Sequence, residues 1–198
     1  MTQKLDASHI CLIRGWQTFR KMRESETEIE KYLIGIVQEA KEKLTARYGE
    51  SIEIDDKSEK GHYFDVFPKE LSNSKNSKHP ASEVFRLGAE GICLEELAKD
   101  SSDTYFRAYA YSPLKMEGTN STVLAEVRRL FADYMPVGFK ISSESDYYCT
   151  KTLSPVTPEQ IADRKLLVSL LVEPLIALMD WSKKNATSLT KLAAKVRR

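Results

Sequence analysis

Cysteine is scarce in this sequence: Cys11, Cys93 and Cys149 lie far apart, are odd in number and form no C-x-x-C pair. That excludes a disulfide framework and a zinc knuckle, and it fits a reducing compartment. Glycine is thin as well. Eight scattered glycines give no glycine-rich loop between a strand and a helix whose backbone N–H groups would cradle a phosphate, so no cofactor is expected. Histidine is limited to His9, His62 and His79, and there is no G-x-S-x-G elbow, so a serine or cysteine nucleophile has few bases to draw on. His62 beside Cys93 or Cys149 is one such pairing. Against it stands the ordinary behaviour of a buried cysteine as a small apolar residue.

An excess of either charge is missing too. Thirty basic residues against twenty-nine acidic ones leave a net charge of +1, so no global field draws polyanions or a membrane surface, and any such attraction must be local. No long hydrophobic run occurs: residues 166–181 are interrupted by Ser169, Glu173, Pro174 and Asp180 and fall short of the ~20 residues of a bilayer span. Lys4, Asp6 and His9 break up the start of the chain where a secretory signal would be apolar, so a cytoplasmic protein without a membrane partner is expected. The sequons at Asn120 and Asn185 are then without consequence.

What is present describes a folding chain. Apolar residues make up 41% and charged residues 30% of 198 positions, enough for a core without metal or disulfide staples. The reading is one domain over residues 1–184, with 185–198 as a basic tail or short helix.

Ile10, Ile13, Trp16 and Phe19 suggest a short first helix. A second is predicted to start at Ser25, whose capping-box partner is Glu28, and to end at Gly49. Residues 52–54 and 62–67 alternate as a hairpin, and 69–82 are read as a mobile surface loop with one leucine, too polar to bury anything. Residues 84–87 and 92–97 flank Gly88 and Gly91 as a second hairpin, with a short helix over 95–99 as the alternative, followed by a strand over 104–111. A helix capped by Ser121 or Thr122 and a third hairpin over 139–142 and 147–153 come next. Thr157, Pro158 and Gln160 mark the start of a helix running to about Lys184. The fold class is therefore α+β: a mostly antiparallel sheet of roughly six strands in hairpins, framed by N-terminal helices and a long apolar C-terminal helix.

Three features carry candidate function. Alternation along 104–111 places Tyr105, Arg107, Tyr109 and Tyr111 on one strand face, a platform for stacking bases or a partner; the alternative is that the rings simply cover a neighbouring element. Lys183, Lys184, Lys191, Lys195, Arg197 and Arg198 form a run without an acidic residue, suited to phosphates or an acidic surface, or else a passive soluble tail. The apolar residues of 166–181 exceed what one helix face displays. That helix is either central to the domain or meets a second copy as a homodimer.

The expected function is a non-enzymatic binding protein, of adaptor or inhibitor type, docking on a protein partner or nucleic acid through the tyrosine face, the basic end or both. No catalytic or metal-binding residue is assigned. The alternative is a metal-dependent nuclease-like enzyme using Asp55, Asp56, Asp65, Glu95 and Glu96. Its pattern departs at Leu97, where a lysine would be required, with Lys99 too late.

Overall fold

Apolar residues at 33, 36, 37, 40 and 44 recur at helical spacing and lie buried along one side of α1 (Trp16–Tyr48). The computed structural model describes residues 15–56, 62–72, 84–92, 106–113, 119–143, 147–153 and 158–196. Over the described residues the helix is continuous from Trp16 to Tyr48, and Ser25 stands exposed inside it rather than capping a new start. Extending a helix costs less than nucleating another, and the polar first half is supported by pairs such as Arg20–Glu24 at 3.4 Å. Gly49, at φ 55°, ends the helix as expected. Ile10 and Ile13 lie outside the described residues.

After a 3-10 turn (Gly49–Ser51) the chain forms β1 (Ile52–Asp56), β2 (Tyr63–Pro68), the single helical turn α2 (Lys69–Ser72), β3 (Arg86–Glu90) and β4 (Phe106–Tyr111). There follow α3 (Thr119–Asp133), β5 (Lys140–Ile141), β6 (Tyr147–Leu153), α4 (Pro158–Ile161), α5 (Arg164–Lys184) and α6 (Ala186–Ala193). The strands make one sheet in the order β1-β2-β3-β4-β6-β5, antiparallel at every pairing. The architecture is α+β.

Period-two alternation gives the sheet a helix-covered face of Phe64, Val66, Leu87, Ala89, Phe106, Ala108, Ala110 and Cys149, all buried. Helix α5 crosses β2, β3 and β4 on that face and packs beside α1. Small residues at 89, 108 and 110 leave room for its Leu167, Leu171, Leu175 and Leu178, all fully buried. The exposed positions of α5 are Lys165, Glu173, Asp180, Lys183 and Lys184. Ten of its residues are buried, while Leu166, Leu170, Ile176 and Ala177 are partly exposed.

Four local expectations are corrected. Gly88 is not in a turn but in the middle of β3, which runs straight from Arg86 to Glu90; positions 93–97 lie outside the described residues. Leu71, the one leucine of the polar stretch, is 1% exposed and joins the core. Ser121 and Thr122 sit inside α3, which begins at Thr119. The helix expected from Thr157 to Lys184 is divided, with α4 ending at Ile161 and α5 starting at Arg164. Asp163 is the cap actually used: its carboxylate accepts from the Leu166 N–H at 3.1 Å. Arg164 then reaches back to α1, donating to the Glu39 carboxylate at 2.7 Å and to the Gly35 carbonyl at 2.8 Å. That hydrogen bond holds the Glu39 carboxyl below its ordinary value.

The last segment packs through Leu189, Leu192, Ala193 and Val196, all in the hydrophobic core. Among the described residues, no helix is long and apolar enough to cross a membrane.

Candidate functional site: a tyrosine-lined groove on the sheet

The face of the sheet away from α5 carries the polar half of the alternation, and strand register sorts it into rows. Tyr63, Glu90 and Arg107 form one row across β2, β3 and β4. Asp65, Gly88, Tyr109 and Thr150 form the next, extended by Asp55 on β1. Arg86, Tyr111 and Tyr147 form the third.

Tyr147 reaches this face because of a bulge. Between Ala110 and Tyr111 the register with β6 shifts, so Tyr111 opposes Tyr147 while Ala110 opposes Cys149 and Tyr148 is skipped. Regular alternation from Thr150 would aim Tyr148 at the groove and turn Tyr147 away. Instead Tyr148 is fully buried, its hydroxyl donating to the Val84 carbonyl at 2.5 Å and its ring 5.9 Å from Phe131 of α3.

The result is a groove of about 390 Å³ lined by Tyr63, Asp65, Glu90, Arg107, Tyr109, Tyr111 and Tyr147. Tyr109 meets Tyr147 edge-on at 5.0 Å and Tyr111 at 5.7 Å, the arrangement that ring quadrupoles favour. The Arg107 guanidinium lies over Tyr147 at 4.7 Å and Tyr109 at 5.2 Å, donates to the Tyr147 hydroxyl at 3.1 Å and pairs with Glu90 at 3.3 Å. Asp65, 3% exposed, accepts from the Tyr111 hydroxyl at 2.5 Å and lies 3.6 Å from Arg86, which also reaches Asp55 at 3.8 Å. These contacts fix the side chains in place before any ligand arrives.

Gly88 makes the depression possible. A Cβ at this position would stand 2.4 Å from the Tyr109 ring, which lies directly over the backbone. A Gly88→Ala substitution is expected to push that ring outward, fill the groove and cost ~1–3 kcal/mol. A lowered denaturant midpoint with the fold retained is the outcome to look for.

Burial raises the hydroxyl pKa of Tyr109 and Tyr111, and the Asp65 carboxylate adds to the shift by accepting from Tyr111 and by its charge. Tyr148 is raised by burial as well. The fold therefore favours the protonated phenols. Their contribution is intact below the ordinary phenol pKa of ~10 and is lost as the pH climbs above it. Of nine tyrosines in the chain, these three should resist ionisation until the protein unfolds at high pH. Phenolate absorbance followed beside circular dichroism checks this: ionisation of all tyrosines before any loss of structure would contradict it.

Of the residues singled out in the sequence, Arg107, Tyr109 and Tyr111 come together here, while Tyr105 lies outside the described residues. The basic end belongs elsewhere, on the helical layer. There Lys183 sits 4.8 Å over the Tyr48 ring, and Lys195 pairs with Glu126 at 2.8 Å. Lys191 lines a cleft with Glu126 and Asp133, and Lys184 borders another beside Asp180. Arg197 and Arg198 lie outside the described residues. Tyrosine face and basic end thus occupy opposite sides of the sheet.

Of the acidic set, Asp55 and Asp65 are direct cross-strand partners held by Arg86, and Asp56 is one position on, opposite Phe64. Glu95 and Glu96 lie outside the described residues. Among the described residues, no group of three or more His, Cys, Asp or Glu could hold a metal ion. Cys149 is fully buried, and burial pushes its thiol up to about 12, which keeps it an inert core residue.

Tyr63, Glu90 and Tyr147 complete the groove and were not singled out in the sequence, and Asp65 was singled out only as one of the acidic set. Two signals existed: a carboxylate inside the apolar run Tyr63–Pro68, and adjacent tyrosines at 147 and 148, which a regular strand sends to opposite faces. Comparison with family models, with curated proteins and with solved structures gives no match.

Proposed function

We propose that this chain is a non-enzymatic binding protein, of adaptor or inhibitor type, that docks a protein partner on the tyrosine face of its sheet. The observation carrying this reading is the groove itself: Tyr63, Tyr109, Tyr111 and Tyr147 around Arg107, held by cross-strand contacts. Tyrosine and arginine are the residues that concentrate binding energy at protein interfaces. Rings already locked in place lose little conformational entropy on association.

A protein partner fits better than nucleic acid. Asp65 and Glu90 line the groove and pair with the two nearby guanidiniums, so the groove offers phosphates no uncompensated guanidinium. The basic run lies on the other side of the sheet, partly neutralised by Glu126.

A photo-crosslinking residue placed at Tyr63, on the rim of the groove, tests this against one at Tyr134, exposed on the helical side. In the cells that produce the protein, the Tyr63 position should give a discrete adduct that protease destroys and nuclease leaves intact, and the Tyr134 position should not. A nuclease-sensitive adduct would replace the protein partner with nucleic acid. Equal labelling from both positions would contradict docking on this face.

A further inference from the structure

Resting on that reading, we infer that the groove receives a cationic side chain, lysine or arginine, projecting from the partner. On this face of the sheet the register places four carboxylates, Glu53, Asp55, Asp65 and Glu90, against three cations, Arg86, Arg107 and Lys140, so the face carries one excess negative charge. The walls of the groove are four tyrosine rings. The faces of such rings attract cations, most strongly where water is partly excluded. Arg107 already lies over Tyr109 and Tyr147 within 5.2 Å, so the incoming cation uses the Tyr63 side of the groove.

The entrance is at Glu90 and Tyr63. They are direct cross-strand neighbours, and both are accessible: the Glu90 side chain is 35% exposed and Tyr63 37%. Asp65, by contrast, is sealed beneath Tyr111 and Arg86. An incoming ammonium or guanidinium meets the Glu90 carboxylate, already turned toward Arg107, and lies along the Tyr63 ring while its aliphatic stem covers the tyrosines below. A phosphate arriving by the same path meets Glu90 first and is repelled.

The test uses the full chain with its tyrosine rings isotopically labelled for NMR. The probes are a blocked Gly-Lys-Gly peptide, its norleucine counterpart of nearly the same shape without charge, and a short oligothymidylate. The lysine peptide should shift the ring signals of Tyr63, Tyr109, Tyr111 and Tyr147 in a saturable way, and the norleucine peptide should leave them in place. Glu90→Gln, which keeps the shape of this half-exposed side chain and removes its charge, should weaken the lysine peptide by ~5-fold. Tyr63→Leu, which removes the ring and keeps the bulk, should weaken it comparably.

Equal shifts from the lysine and norleucine peptides would overturn the inference, as would a lysine affinity that ignores Glu90→Gln. Ring shifts from oligothymidylate alone would overturn it in favour of phosphate. If the lysine peptide is silent while Tyr63 still crosslinks a protein, the cation inference fails and the docking face stands. If both are silent, the docking face fails with it.

Discussion

Leu171→Ala is expected to lower stability by ~2–5 kcal/mol, a large share of the ~5–15 kcal/mol that holds a domain folded. Leu171 is fully buried near the middle of α5, one turn from Leu167 and one from Leu175, both equally buried. Removing three carbons there opens a cavity between the helix and the sheet it crosses. The strands under the helix carry alanine at 89, 108 and 110, side chains too short to reach into a cavity. Denaturant unfolding of the variant, with light scattering of both proteins, is the check. An unchanged midpoint accompanied by dissociation of an oligomer would instead assign this helix to an interface between copies.

Phe131→Ala should cost about as much, ~3–5 kcal/mol, and should also disturb the site. The Phe131 ring stacks on Trp181 at 3.8 Å and 8°, and lies 5.9 Å from both Phe85 and Tyr148. It backs the bulge that buries Tyr148 and so turns Tyr147 into the groove. Two signals should move together: Trp181 emission to the red, as this 5%-exposed indole meets water, and the ring resonances of Tyr147 and Tyr109. Trp181 changing while the groove signals stay fixed would show that the bulge holds without its aromatic backing. Phe131→Leu, which keeps much of the buried volume, should show both effects at lower amplitude.

How far the sequence reveals this architecture depends on the range of the interactions involved. The strand over Phe106–Tyr111 is legible because small apolar and large polar-tipped residues alternate along it. That alternation puts Arg107, Tyr109 and Tyr111 on one face without any knowledge of neighbours. The groove's other members come from β2, β3 and β6, and pairing order is a long-range property that no local pattern encodes. Tyr147 is hidden for a second reason. Its side depends on the bulge, and the bulge depends on what Tyr148 finds beneath α3.

Gly88 misleads for a related reason. Its lack of a Cβ reads locally as a turn, whereas what requires it is the Tyr109 ring lying over it from the next strand. Helix boundaries fail similarly. A helix does open at Pro158 as expected, but it ends at Ile161, and the start of α5 is fixed by Asp163 and by Arg164 binding Glu39 and Gly35, more than a hundred residues earlier in the chain. Ser25 resembles a cap, but the helix runs through it. Leu71, solitary in a polar stretch, is buried because α2 lies against β2 and α6.

Hydroxyl-radical footprinting of the protein in its native lysate, compared with the purified chain, addresses the tyrosine face most directly. Tyr63, Tyr111 and Tyr147 should be oxidised less in the lysate than in isolation, while Tyr134 and Met22, both exposed away from the groove, react equally in the two. Unchanged oxidation of the three groove tyrosines, or protection confined to the helical side, would contradict a binding role for this face.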